Sequence, residues 1–229
     1  MNDDSVKKPA RKSRRGKVTR DRIIEVAENL IALHGPDGFQ LQNVTEILGI
    51  TPPAIYNHFK DREDLVAQIA EKGGRILSGK IEWTAGEAIL DSLRLNARRY
   101  VDFLIENPAQ ARIILWNLAR RGTTGWRGLA NSNIEMRDRM RDAFEAATQD
   151  GRLRPFRVEA YLQFLYIGAA AAVVWTDYDH PDQGDGIGDQ DGEEFRLAPI
   201  SPEKAEQMRD QAEDLVVRLL APTLGEIDD

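Results

Sequence analysis

The chain has 229 residues, 41% of them hydrophobic and 30% charged, with a formal net charge of −7 and no cysteine. That composition supports a sizeable core in a soluble protein; it excludes disulfides, thiolate metal sites and a cysteine nucleophile, and it fits a reducing cytoplasm. No apolar run reaches the roughly 18 residues of a membrane span, and the opening MNDDSVKKPARKSRRGK lacks the apolar stretch of a secretory signal.

In chain order, residues 1–17 come first. They are polar and basic without apolar periodicity, and they read as a disordered arm suited to DNA phosphates. Charge is uneven beyond the arm as well. Residues 1–62 hold 11 Lys and Arg against 8 Asp and Glu, which leaves 20 against 30 for the remainder. A basic first quarter on an acidic body implies a polyanionic partner for the N-terminal part alone.

Ile23, Ile24, Ala27, Leu30 and Ile31 recur at helical spacing and predict a helix from Val18 or Thr19 to Gly35 and Pro36. Leu41, Val44, Ile47 and Leu48 predict a second, short helix. Gly49 stops it, because a glycine just past a helix end takes the left-handed conformation cheaply. Thr51 is suited to cap a third helix, with Pro52 at its first position and Pro53 at its second. A missing N–H costs nothing there, since the first four amides of a helix have no helical partner. This third helix is expected to run to about Phe59. A fourth follows Asp61, with Leu65, Ile69 and Ile76 on one side and Gly73, Gly74 and Gly79 weakening its second half.

Further helices are expected near 86–106, 108–121, 126–149, 156–178 and 202–221, separated by Pro108, Gly122 to Gly125, Gly151 to Pro155, and Pro222. No segment alternates as a strand would, so the fold class is all-α. Asp177 to Glu194 is an acidic, low-complexity stretch within a loop expected over 177–200, read as a mobile insertion. Its carboxylates fit no calcium-loop register: counted from Asp185, the third position is Ile187 and the sixth is Gln190. His34, His58 and His180 have no metal-ligand spacing. A Ser-His-Asp arrangement and a His-Glu-x-x-His motif are absent, and GDGIGDQDG fails as a phosphate loop with no strand before it. No enzyme activity, metal or cofactor is expected.

Two short helices joined by a glycine turn form a helix-turn-helix, whose second helix enters the major groove in DNA-binding versions. An ordinary helical hairpin has the same outline. Here Asn57, His58 and Lys60 form a polar face on a helix whose apolar side needs only Ala54, Ile55 and Phe59, and a basic arm precedes the unit. Both features favour DNA.

The segment GPDGFQLQNVTEILGITPPAIYNHFKDREDL, Gly35 to Leu65, resembles the DNA-binding region of the tetracycline-repressor (TetR) family of transcriptional regulators. The likeness is carried by Gly38, Leu41, Val44, the run Gly49-Ile50-Thr51, and the block AIYNHFKDREDL with its Tyr-x-His-Phe signature. With the first helix it covers residues 18–66. The resemblance implies a three-helix DNA-binding domain over 18–66 and a helical effector-binding and dimerisation domain over 67–229. It implies that Thr51 caps the recognition helix and touches a phosphate, that Pro53 and Ala54 face the major groove, and that Tyr56, His58 and Lys60 bind backbone phosphates. Asn57 is the candidate for a base edge, since an amide can pair with adenine N6 and N7. Gln42 and Asn43 are further candidate DNA contacts. Gln40 departs from the Ser or Thr usual at the second helix cap, and Pro53 from the usual Gly or Ala, so its base contact would be apolar.

In the body, Leu162, Leu165, Tyr166, Ala169 and Val173 form one stripe, with small residues from Gly168 to Ala172. Ala205, Met208, Ala212, Leu215, Val216, Leu219 and Leu220 form another. The resemblance makes these the faces of a homodimer, which also suits an inverted-repeat operator in double-stranded DNA; packing inside the monomer is the alternative. Tyr100, Phe103, Trp116, Trp126, Phe144, Phe164 and Trp175 are candidate walls of a pocket for an unknown small-molecule effector, hydrophobic or aromatic in character, with Arg98, Arg99, Arg112, Arg120 and Arg121 as possible anion contacts. The expected function is a cytoplasmic, sequence-specific regulator of transcription, a repressor released by ligand, with no membrane partner. The alternative is a helical ligand-binding or scaffold protein without DNA function.

Overall fold

The computed structural model describes residues 19–82, 88–119, 134–155, 157–176 and 200–221, apart from the side chains of 118, 119, 158, 159, 162–164, 166, 175 and 176. The basic arm, the acidic loop and Trp126 lie outside them. Every regular element among the described residues is a helix. The N-terminal four are α1 (Arg20–Gly38), α2 (Leu41–Leu48), α3 (Pro52–Tyr56) and α4 (Arg62–Lys80). The body adds α5 (Ile89–Glu106), α6 (Pro108–Ala119), α7 (Ile134–Gln149), α8 (Val158–Thr176) and α9 (Pro202–Leu220).

Thr19 caps α1, its hydroxyl accepting from the Arg22 N–H at 3.3 Å. The helix breaks at Gly35 and Pro36, where its end is expected, although the helical span continues to Gly38. Gly35 takes φ 70°, ψ 168°, and after this kink the chain makes another turn to Gly38. Glycine supplies the positive φ, and Pro36 then opens the new turn at a position that needs no N–H. Asp61 caps α4 by accepting from the Asp64 N–H at 2.8 Å, and α4 runs unbroken past Gly73, Gly74 and Gly79.

Two buried clusters divide the molecule. The N-terminal one gathers Ile23, Ala27 and Ile31 of α1, Phe39, Val44, Ile55, Phe59, and Leu65 and Ile69 of α4. It also takes Ala109 and Ile113 from α6, with Trp116 half-buried against it. The body cluster joins α5, α7, α8 and α9 through Tyr100, Phe103, Phe144, Tyr161, Val173 and Val216, and it takes Ala111 and Ile114 from the same α6. Helix α6 is therefore shared, with one face in each core.

A close approach fixes that seam. Gln110 of α6 is 3% exposed and donates from Nε2 to the Ile69 carbonyl of α4 at 2.8 Å. A Cβ on Gly73 would lie 2.1 Å from the Gln110 Cδ, so only glycine admits the amide there. The glycines that weaken α4 in isolation make room for its neighbour.

Candidate nucleic-acid interface

The turn between α2 and α3 is closed by backbone alone. Gly49 is left-handed at φ 62°, ψ 33°, its N–H donates to the Glu46 carbonyl at 3.2 Å, and the Ile50 N–H reaches the Thr45 carbonyl at 3.0 Å. This pair of bonds is the Schellman closure of a helix end. At the other end of α2 the Gln40 side chain makes no cap, as its departure from Ser or Thr implied.

Thr51 stands at the N-cap of α3 in extended conformation, but its side chain makes no capping bond. The two prolines explain this correction. A cap hydroxyl bonds the second or third amide of a helix. Pro53 has no N–H to offer, and the Ala54 N–H is taken by the Thr51 carbonyl at 2.9 Å. The hydroxyl is thus left on an exposed residue with no capping task. Helix α3 also ends at Tyr56 rather than near Phe59. The Ile55 carbonyl accepts from both the His58 and Phe59 N–H groups, at 2.8 and 3.0 Å, so the chain tightens into a turn before α4.

That turn sets the outward face. Ile55 and Phe59 are each 1% exposed and anchor the segment, whereas Tyr56 is 58% exposed. Asn57, Lys60, Pro53, Gln42 and Asn43 are exposed; Ala54 and His58 are half-buried. The Lys60 N–H donates to Asp64 Oδ2 at 2.8 Å, and its ammonium forms no ion pair with the described residues. Gln42 is partly occupied, donating from Nε2 to Glu46 Oε1 at 2.9 Å. An open groove of about 410 Å³ separates α2 from α3, lined by Leu41, Gln42, Thr45, Glu46, Pro52, Ile55 and Tyr56, so the α2 candidate Gln42 and the α3 candidate Tyr56 share one surface.

Sequence reasoning passed over two arginines here. The Arg62 Nε donates to the Phe39 carbonyl at 2.9 Å and its guanidinium lies over the Phe39 ring. The Arg20 guanidinium lies 5.4 Å from the Phe59 ring centre. Both contacts join residues far apart in the chain, so no local pattern announces them.

A model of bacterial regulatory proteins of the tetR family matches residues 23–69, the segment that builds this surface. Over that segment the chain is similar to regulators of the TetR family. An uncharacterised helix-turn-helix transcriptional regulator, YobS of Bacillus subtilis, is 31% identical over 92 residues, which span 40% of this chain and 48% of that relative. The chain therefore spans about half the length of the curated relative it matches. Among solved structures, FadR from Bacillus subtilis in complex with stearoyl-CoA matches with a TM-score of 0.60 at 16% identity, over 87% of this chain and 98% of that one. AibR in complex with isovaleryl coenzyme A and operator DNA matches with a TM-score of 0.57 at 19% identity, over 87% and 97%. At these identities the likeness is one of fold, and it covers the body as well as the N-terminal helices.

Four of the candidate effector walls have described side chains: Tyr100, Phe103 and Phe144 lie in the body core and Trp116 packs against the N-terminal core. Tyr100 and Phe103 are fully buried and stacked, ring centres 6.3 Å apart. Phe144 packs on Tyr161 at 5.3 Å in the same core. Trp116 instead turns toward the N-terminal core. Its spacing with Ala109 and Ile113 was a readable stripe, but a stripe does not say which core it faces. The side chains of Phe164 and Trp175, with Trp126, Arg120 and Arg121, fall outside the described residues.

Arg98 is no free anion contact, for it joins α5 to Glu206, Asp210 and Glu213 of α9. Arg209 reaches back to Asp102 at 2.7 Å and also bonds Glu206. Hydrogen bonds from Arg98 and then Arg209 hold the Glu206 carboxyl below its ordinary range. The Glu206 bond likewise raises the Arg98 guanidinium. Much of the expected dimer stripe, including Ala212, Val216 and Leu220, is buried in the monomer core. Beside it an open groove of about 370 Å³ runs between α5, α8 and α9, past Gly168, Ala169, Ala172, Met208 and Leu215. Ile167 stands exposed on α8. Among the described residues no helix is long and apolar enough to cross a membrane.

Proposed function

We propose that this chain is a sequence-specific DNA-binding regulator of transcription, a repressor that acts as a homodimer on an inverted repeat and is released by a small hydrophobic effector. The observation that carries the reading is the α3 turn. Buried Ile55 and Phe59 hold an exposed polar surface of Tyr56, Asn57 and Lys60 in a family module matched over 23–69. Tyr56, His58, Lys60 and Thr51 serve as phosphate contacts; Asn57 reads a base edge, and Pro53 and Ala54 meet the major groove. Gln42 and Asn43 approach the backbone from α2. The operator DNA held by AibR, and the CoA esters held by AibR and FadR, support a DNA partner and an effector with an apolar part.

Release follows from the shared helix. Recognition helices of a dimer dock on half-sites about 34–36 Å apart. An effector in the body that prefers one position of α6 shifts α4 through the Gln110 contact and spoils that spacing. It acts only by its differential affinity for the two arrangements.

Selection of bound sequences from a random duplex pool tests the reading. An enriched inverted repeat is the expected result, and Asn57→Ala then loses about 1–3 kcal/mol on the enriched site and relaxes one base position. No enrichment at low salt favours a scaffold or ligand-binding protein instead.

A further inference from the structure

We infer that Arg20, at the start of α1, is an additional phosphate anchor of the DNA surface. The inference rests on the DNA-binding reading and deepens it by naming a contact outside the helix-turn-helix. Arg20 is exposed, and its guanidinium sits 5.4 Å from the centre of the Phe59 ring. Phe59 is 1% exposed and lies in the chain between His58 and Lys60, two residues of the proposed phosphate face. A buried ring is a fixed platform, so the stacked cation is fixed beside that face.

Its neighbours show what distinguishes it. Arg22 pairs with Glu25 at 2.7 Å. Arg62 is tied to the Phe39 carbonyl. Arg20 forms no ion pair with a described residue, and the ring holds it without consuming a hydrogen. A guanidinium resting on an aromatic face keeps its in-plane N–H donors directed outward. Those donors match the paired oxygens of a phosphate. The pre-set orientation also spares the ordering cost that a freely moving lysine would incur on binding.

The experiment is the salt dependence of duplex binding by the full chain, on the enriched sequence and on an unrelated duplex. Wild type is compared with Arg20→Ala, Arg20→Gln, Arg20→Lys and, as a paired-arginine control, Arg22→Ala. Removing one phosphate neutralisation lowers the slope of log affinity against log salt by about 0.9. Arg20→Ala and Arg20→Gln are expected to lower it by that amount per subunit and to weaken both duplexes by a similar factor. Arg20→Lys and Arg22→Ala are expected to keep the wild-type slope. If wild type binds DNA and the slope of Arg20→Gln is unchanged, the assignment is overturned, whatever happens to thermal stability, since Arg20 then only covers Phe59. If wild type binds no duplex at any salt, the DNA reading itself fails and the assignment falls with it.

Discussion

The recognition end and the body use the same residue types in opposite ways. In the body, Arg98 and Arg209 are each engaged by two or more carboxylates, and they stitch α5 to α9. At the recognition end, Lys60 and Arg20 are positioned by a backbone amide and a ring, with no ion pair to the described residues. Charge is consumed in one region and left available in the other. The sequence-wide balance of −7 conceals this, because what matters to a polyanion is the unneutralised cation on one surface.

The contrast can be broken at its buried anchors first. Phe59→Ala should cost about 3–5 kcal/mol of stability, as expected for a buried aromatic, and should abolish DNA binding, since Arg20 and the α3 turn lose their platform. Phe144→Ala in the body core should cost a similar amount while folded protein retains its DNA affinity. Urea denaturation and binding under folding conditions check the pair, and equal DNA losses would show that the two regions are not separable in this way.

The seam between the regions comes next. Gly73→Ala forces a methyl into the Gln110 amide and should cost about 1–3 kcal/mol by overpacking. Adding Gln110→Ala should recover part of that loss, because the clash goes with the amide. A double variant no more stable than Gly73→Ala alone would remove the close approach as the cause.

The smallest effect lies in the body's ion pairs. The folded Glu206 carboxyl is held below its ordinary value of 4.5 by its hydrogen bonds to Arg98 and Arg209, so its contribution is present above that value and is lost as pH falls through the lower folded value. Thermal stability should therefore drop from neutral pH into this acid range. Glu206→Gln should lower it at neutral pH and narrow the drop. The pair is exposed, so the difference is expected to be small. Identical profiles for the two proteins would exclude the pair as a contributor.

The features readable in advance were those closed within a few residues. Gly49, the Pro52-Pro53 start and the Asp61 cap each depend on bonds spanning no more than five positions, and a local pattern suffices for them. The Thr51 cap failed for an equally local reason, the missing amide of Pro53. The outward face of α3 was legible because its apolar side needs so few residues. The rest depended on distant partners. Arg20 meets Phe59 across the whole N-terminal module, Gln110 enters the Gly73 notch, and Trp116 faces a core other than the one its neighbours in the chain suggest. Spacing marks the stripes of a helix but not what lies opposite each stripe.

Helix α6 has a consequence for transplantation. An N-terminal module cut out after α4 would leave behind Ala109, Ile113 and Trp116, and would open to water part of the buried cluster to which they belong. The unit that can be moved between regulators is therefore not a continuous segment. On the proposed DNA reading, chimeras that exchange specificity should replace surface residues of the α3 turn on the native chain, because a splice at the apparent boundary separates a core from part of its lid.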